Sequence, residues 1–251
     1  MPKILITVPV WNEALIIEHA LRTLNEACAD LLNGHDVVID VVDNASTDDT
    51  RAIIDTFIRM SGNREAGARR ITVRLRSIPI KGKGIAVKTS WLDHRNDADV
   101  FVFLDADLSA DISALPKLIG PVLDGRADAV CGSRFQKGSR VKRSFVRTLG
   151  SYAYRALQRI ALRLPVRDAQ CGFKAASPNL VRSVLASCDE RGWIFDTELL
   201  LRASRSKLRI IEIPVSWIEN RIPERRSAFH VFKDGWEALK AIVRLRRNIL
   251  Q

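Results

Sequence analysis

Asp105-Ala106-Asp107 follows directly on the apolar run 100–104, Val-Phe-Val-Phe-Leu. The run has the length and composition of a buried strand, and strand side chains repeat every two residues, so both carboxylates leave its end on one side. Two hard oxygen donors at an open edge suit Mg2+ or Mn2+, ions that take few protein ligands and keep room for the oxygens of a diphosphate. Asp105 and Asp107 are therefore the candidate metal ligands. For such a pair in isolation the alternative is a solvated turn closing a strand, so the weight falls on its company.

Acidic residues close two earlier strand-like runs as well. Pro9-Val-Trp-Asn-Glu13 ends the run 4–8, and Asp43-Asn-Ala-Ser-Thr-Asp48 ends the run 37–42. A carboxylate at such a place can accept hydrogen bonds from ribose hydroxyls or a base N–H. Lys81-Gly-Lys-Gly84 precedes a helical pattern. Its glycines are expected to bring backbone N–H groups to an anion, with Lys81 and Lys83 adding charge. Its spacing and the missing Ser or Thr exclude a Walker A loop.

The elements that must carry these residues alternate. Strand-like runs 4–8, 37–42, 71–78 and 100–104 are separated by helical patterns over 15–32, 50–60 and 84–92. This predicts an α/β fold with a mainly parallel sheet, helices on both faces and ligands outside the carboxyl ends of the strands. Asn12 and Ser46 or Thr47 are the expected N-caps. Beyond residue 108 the pattern gives a helix over 112–123, a strand over 127–132, a basic loop and a long helix over 144–164. A segment 171–176, another helix and a strand pair over 208–217 follow.

A chain of 251 residues, 47% hydrophobic and 27% charged, can bury a full core. The net charge of +11 and a pI near 10.0 favour phosphate-bearing ligands, nucleic acid or an anionic membrane face. Nucleic acid is disfavoured, because the basic residues are dispersed and no helix-turn-helix, zinc or aromatic RNP signal occurs. Cys28, Cys131, Cys171 and Cys188 form no C-x-x-C pair, which predicts reduced, buried thiols. The first apolar run is too short for a signal h-region, and no apolar stretch is long enough to span a bilayer. A cytoplasmic protein, free or on a membrane surface, is the expectation. Residues 144–164 and 232–250 are basic amphipathic patterns, the second with Phe232, Trp236, Leu239, Val243 and Leu250 on one stripe. Such helices lie in a headgroup layer or, alternatively, turn their apolar side to a core.

Taken in order, P-V-W-N-E, V-V-D-N-A-S-T-D, K-G-K-G-I-A-V and F-L-D-A-D resemble the nucleotide-sugar half of family 2 glycosyltransferases. Gly132-Ser-Arg-Phe135, Asp168-Ala-Gln-Cys-Gly-Phe-Lys174 and Gly192-Trp-Ile-Phe-Asp-Thr-Glu-Leu-Leu200 resemble the dolichyl-phosphate glucosyltransferase and dolichyl-phosphate mannose synthase branch. The resemblance reaches to about residue 226. It implies a GT-A-type fold, a nucleoside-diphosphate sugar donor, Mg2+ or Mn2+, and a polyprenyl phosphate acceptor. Residues 1–226 would form the transferase domain, 1–108 its nucleotide-sugar half and 109–226 its acceptor half, with a basic amphipathic helix over 227–251.

By the same resemblance Pro9, Glu13 and Asp43 would line the nucleoside pocket, with Asp105 and Asp107 on the metal and Lys83 on the departing diphosphate. Arg134 and one or both of Arg143 and Arg147 would hold the acceptor phosphate, with Arg225 and Arg226 in a loop closing over the phosphates. Gln170 and the segment 195–198 would face the sugar. Asn44 stands where the family usually has a second Asp, Ile80 where an Asn often precedes G-K-G, and Leu108-Ser109 where mannose synthases commonly carry a Gln. Q-C-G-F-K leans toward the glucosyltransferase branch, so UDP-glucose is favoured over GDP-mannose. A lipid phosphate is already ionised, so inverting attack needs no strong base. A hydroxyl acceptor would need one, and Asp196 is then the candidate. The alternatives are a family 2 transferase with a soluble hydroxyl or phosphate acceptor and a non-catalytic nucleotide-sugar-binding protein. A lipid acceptor implies contact with an anionic membrane surface on its cytoplasmic face, directly or through a membrane subunit.

Overall fold

The computed structural model describes residues 1–61, 65–66, 69–142, 145–218 and 231–250. Its first half is built by alternation: β1 (Lys3–Val10), α1 (Ile17–Leu31), β2 (Asp36–Asn44), α2 (Thr50–Ser61), β3 (Glu65–Ala66), β4 (Arg69–Ile78), α3 (Lys83–Asp93) and β5 (Val100–Leu104). The second half adds α4 (Leu115–Leu123), β6 (Ala129–Ser133), β7 (Arg140–Lys142), α5 (Phe145–Leu162), β8 (Phe173–Ala176), α6 (Pro178–Ser183), α7 (Phe195–Arg205), β9 (Ile210–Pro214), β10 (Ser216–Ile218) and α8 (Val231–Leu250).

One sheet of order β3-β4-β2-β1-β5-β8-β6-β9 runs through both halves. β4, β2, β1 and β5 are parallel, with Val10 opposite Asp43 and Asn44 opposite Ile78, so their carboxyl ends lie side by side. β8 enters antiparallel between β5 and β6, with Phe173 opposite Leu104 and Lys174 opposite Cys131. The start of β8 therefore sits at the same edge as the ends of β5 and β6. β7 and β10 pair parallel in a separate ribbon, where the sequence suggested a basic loop and a strand partnered with β9. Short strands of mixed polarity carry no clear period-two signal.

Alternate residues of the central strands feed two cores. Ile4, Ile6, Val8, Val100 and Val102 pack under α1, α2 and α4. Leu5, Phe101 and Phe103 pack under α3, α5, α7 and α8, with the Trp91 ring 5.8 Å from each of those two Phe rings. Helices thus cover both faces and leave the strand ends as the open edge, which is the GT-A, Rossmann-like arrangement. All four cysteines are buried free thiols, and burial pushes each up to about 12. Among the described residues no helix is long and apolar enough to cross a membrane.

The helix starts differ from the expected caps. The N–H groups of Ile16 and Ile17 bond the Glu13 carbonyl at 3.0 and 2.9 Å, and no side chain caps α1. At α2 the Asp48 carboxylate accepts from the Thr50 N–H at 3.1 Å. Asn12, Ser46 and Thr47 instead lace the two strand-end loops together: Asn12 N–H donates to Ser46 Oγ at 2.9 Å, and Thr47 N–H to Asn12 Oδ1 at 2.8 Å. A side chain tied across to the neighbouring loop is not available to cap its own helix.

Candidate active site

Pro9, Glu13 and Asp43 come together at the ends of β1 and β2. Pro9 pairs with Val42 in the ladder, Glu13 N–H donates to Thr50 Oγ1 at 2.8 Å, and buried Asp43 accepts from Ser46 N–H at 3.1 Å. Burial alone would raise Asp48, but hydrogen bonds from Thr50 and Ala14 outweigh it and hold that carboxyl below the usual range. Asn44 is buried as well. Its amide donates to the Val10 carbonyl at 2.6 Å and accepts from Gly82 N–H at 2.8 Å, pinning the K-G-K-G loop to both strand ends. An aspartate could not make the first of these bonds. The residue that departs from the family pattern is thus a structural tie.

The glycine N–H groups of that loop, which the sequence suggested for an anion, are bonded within the protein: Gly82 N–H to Asn44 and Gly84 N–H to the Gly192 carbonyl at 3.2 Å. Ile85 N–H bonds the Arg191 carbonyl at 3.0 Å. Its glycines are there for close packing. A Cβ on Gly84 would lie 2.4 Å from Phe195 Cβ, and one on Gly82, whose φ is +154°, 2.4 Å from the Arg191 carbonyl oxygen. The loop contributes charge through side chains: Lys81 Nζ lies 2.9 Å from the Trp11 ring centroid, and Lys83 points to the end of β5.

Asp105 leaves β5 with its N–H on the Gly172 carbonyl at 3.0 Å. Its carboxylate lies against Gly172 so closely that a Cβ there would be 1.8 Å from Oδ2. The turn closes through Leu108 N–H to the Asp105 carbonyl at 3.1 Å and Ser109 N–H to Asp107 Oδ1 at 3.0 Å, with Leu108 in the left-handed region at φ +46°. Lys83 Nζ is 2.9 Å from Asp105 Oδ1 and 3.1 Å from Asp196 Oδ2. Burial would lower this lysine, but Asp105 and Asp196 outweigh it, and the ammonium is held above the usual lysine range. Asp105 is held low in turn: burial raises it, and Lys83, Lys174 and Arg134 more than reverse that.

Asp196, at the start of α7, has no exposed surface and also meets Lys174 Nζ at 2.6 Å. Lys174 donates further to the Cys171 carbonyl at 2.5 Å. Glu198 turns away from the cleft, accepting from the N–H groups of Asp189 and Glu190 at 2.8 and 2.7 Å and from Arg202 at 2.8 Å. Arg134, just past β6, is forked on Asp168 at 2.8 and 2.9 Å, and its guanidinium lies 5.6 Å from the Trp217 ring. Burial disfavours both charges, but each holds the other ionised, Arg134 above and Asp168 below its ordinary value. Glu212 fixes this pair from behind by accepting from the N–H groups of Arg167 and Asp168, both at 2.9 Å. Gln170 donates to Thr197 Oγ1 at 2.6 Å. Arg147 lies on α5 with its side chain outside the described residues, as are Arg143, Arg225 and Arg226.

Sequence reasoning passed over Asp168, Gly172 and Lys174, although all three stand in the quoted motif. A lysine inside a four-residue apolar strand was the available signal, since a buried cation requires a buried carboxylate.

An open, mainly parallel sheet whose strand ends gather an acidic pair, a lysine between two carboxylates and a fixed arginine defines a GT-A-type transferase. Residues 5–185 match Glycosyl transferase family 2, and the chain belongs to that family. It is 32% identical over 218 residues to Glycosyltransferase AglD of Haloferax volcanii, covering 86% of this chain and 33% of AglD. It is 26% identical over 257 residues to the dolichyl-phosphate beta-glucosyltransferase of Dictyostelium discoideum, covering 98% and 74%. To the undecaprenyl-phosphate mannosyltransferase of Micrococcus luteus it is 28% identical over 253 residues, covering 95% and 98%. This chain thus spans a third of AglD and most or all of the other two. Among solved structures, glucosyl-3-phosphoglycerate synthase from Mycobacterium tuberculosis in complex with Mn2+ and UDP-glucose superposes with a TM-score of 0.66. The identity is 21%, and the match covers 99% of this chain and 79% of that one.

Proposed function

We propose that this chain transfers a hexose from a nucleoside-diphosphate sugar, with UDP-glucose favoured and GDP-mannose next, to a polyprenyl phosphate with inversion at the anomeric carbon. The carrying observation is that Asp105 follows β5 and Arg134, forked on Asp168, follows β6, the two strands that flank the start of β8, so a fixed cation and an acidic pair share one edge. The names of the Dictyostelium and Micrococcus relatives support a lipid phosphate as acceptor.

Asp105 and Asp107 border one cleft with Leu108, Ser109, Gly172 and Trp217, and the Asp105 side chain is 45% exposed. Two carboxylates reaching a shared cleft fit a hard divalent cation that keeps positions for substrate oxygens. Among the described residues no cluster of three or more His, Cys, Asp or Glu gathers here. Asp105 and Asp107 would therefore hold Mg2+ or Mn2+, which supplies Lewis-acid stabilisation of the leaving diphosphate. Pro9, Glu13 and Asp43 would bind the nucleoside. Lys83 places a cation beside the same leaving group. Arg134 keeps N–H groups beyond those on Asp168 and would orient the attacking phosphate through them. Gln170 would add a polar contact beside it, with Arg143, Arg147, Arg225 and Arg226 as further cations for the phosphates.

The acceptor lies in a bilayer, and the chain carries a surface that fits one. α8 packs on the core through Ala238, Ala241, Ile242 and Leu245, yet it exposes Trp236, Leu239 and Val243 among Lys240, Arg246 and Arg247. Peripheral binding to an anionic membrane face is the localisation proposed; Phe232 and Leu250, of the same stripe, have side chains outside the described residues.

The test is transfer from radiolabelled UDP-glucose and GDP-mannose, separately, to polyprenyl phosphate in detergent with Mg2+ or Mn2+. Metal-dependent label in the organic phase from one donor establishes the reaction and fixes the sugar. Nucleotide binding without lipid product from either donor overturns the lipid-phosphate reading and points to a soluble acceptor.

A further inference from the structure

The site contains an ion pair that stands in the way of its own metal. Lys83 Nζ pairs with Asp105 Oδ1 at 2.9 Å, so an ammonium sits against a carboxylate that a divalent cation would use. Behind it the charges alternate inward: Lys83 to Asp196 at 3.1 Å, then Asp196 to Lys174 at 2.6 Å. The inner pair is rigid, with Lys174 and Asp196 side chains 2% and 1% exposed and Lys174 tied to the Cys171 carbonyl. The outer pair borders the cleft. Lysine is a compact charge on a flexible stem, able to exchange one anion for another while keeping a second contact.

We propose that Asp196, held by Lys174, is the fixed base on which Lys83 pivots between Asp105 and the diphosphate of a bound nucleotide. Asp196 is then a positioning residue for Lys83 and not the base for an acceptor hydroxyl, since it has no exposed surface. The pivot couples two ligands. A divalent cation arriving alone must displace Lys83 from Asp105 with no new anion to receive it. A nucleoside diphosphate supplies that anion, and the metal then meets a released carboxylate. By linkage, metal favours nucleotide to the same extent. The inference rests on the nucleotide-sugar reading.

The test titrates Mn2+, followed by the EPR signal of the free ion, into the full chain with and without UDP or GDP, for wild type and for Lys83→Met and Lys83→Gln. Far-UV CD melts check that each variant folds. In both variants the nucleotide-free Mn2+ Kd is expected to tighten about tenfold, and the factor by which nucleotide tightens Mn2+ to shrink by the same amount. Simple removal of a nearby positive charge would tighten Mn2+ equally with and without nucleotide, so an unchanged coupling factor overturns the pivot. An unchanged nucleotide-free Kd overturns it as well and leaves the donor reading intact. If neither UDP nor GDP binds wild type while Lys83→Met still tightens Mn2+, competition for Asp105 stands and the donor reading fails.

Discussion

Asp105 is held where it is by the absence of a methyl group. Gly172, with no Cβ, lets the carboxylate lie against the backbone that opens β8, and the Asp105 N–H bonds the carbonyl of the same residue. Gly172→Ala puts a carbon 1.8 Å from Oδ2, so the carboxylate must move by an ångström or more. A displacement of about that size at reacting groups costs on the order of 100-fold in rate. The expected outcome is a loss of transfer of about 100-fold with a melting temperature lower by a few degrees, measured by initial rates and a thermal melt. Asp107→Ala should lose transfer to a similar extent, since it removes one of the two carboxylates that border the cleft. Wild-type rates in Gly172→Ala would mean that the position of Asp105 does not matter to the chemistry.

The elements were legible where one period repeats. Runs such as Val100–Leu104 announce buried parallel strands, and the carboxylates that follow them announce the open edge, so the place of these residues at neighbouring strand ends was readable. What joins those ends was not. The role of the K-G-K-G glycines depends on carbonyls at 191 and 192, and the Arg134–Asp168 pair spans 34 residues. No local pattern encodes a partner that the fold alone brings near. β8 illustrates the same limit: the lysine among its four residues calls for a buried carboxylate, but only the sheet order shows the strand entering antiparallel and delivering Lys174 to Asp196. Asn44 is the element-scale test, because its amide ties β1, β2 and the approach to α3. Asn44→Asp sets a carboxylate against the Val10 carbonyl, an unfavourable pairing of acceptors. It should destabilise by about 1–3 kcal/mol, read as a fall of several degrees in melting temperature. An unchanged melt would show that the tie carries no stability.

At the scale of the whole molecule, electrostatics sets the acid limit and bears on the proposed membrane contact. Asp168 is held below its ordinary 3.8 by Arg134, overriding the effect of burial. A carboxyl whose folded value is depressed contributes stability that is complete above the unfolded value and lost as pH falls through the folded one. The urea midpoint of wild type should therefore exceed that of Asp168→Asn by the equivalent of about 3 kcal/mol near neutrality. The gap should narrow below pH 3.8, and a gap independent of pH would show that packing and not charge holds Arg134. The net charge of +11 acts outward, and α8 gives it a direction. A helix anchored through Ala238, Ala241, Ile242 and Leu245 has no internal need for Trp236 and Val243, which are 60% and 61% exposed on its opposite face. Beside Lys240, Arg246 and Arg247 they combine an apolar wedge with cationic neighbours, the two contributions that hold a helix at an anionic interface. Vesicles containing phosphatidylserine should sediment the protein. Trp236→Ser with Val243→Ser should weaken this about tenfold or more, since each buried apolar side chain contributes about 1.5–3 kcal/mol. Raising salt should weaken the wild type only in part, because screening removes the charge contribution and leaves the apolar one. Transfer to an acceptor dispersed in detergent should be unaffected by the double substitution, which separates docking from catalysis. Equal sedimentation of wild type and variant would move the bilayer contact to another face of the molecule.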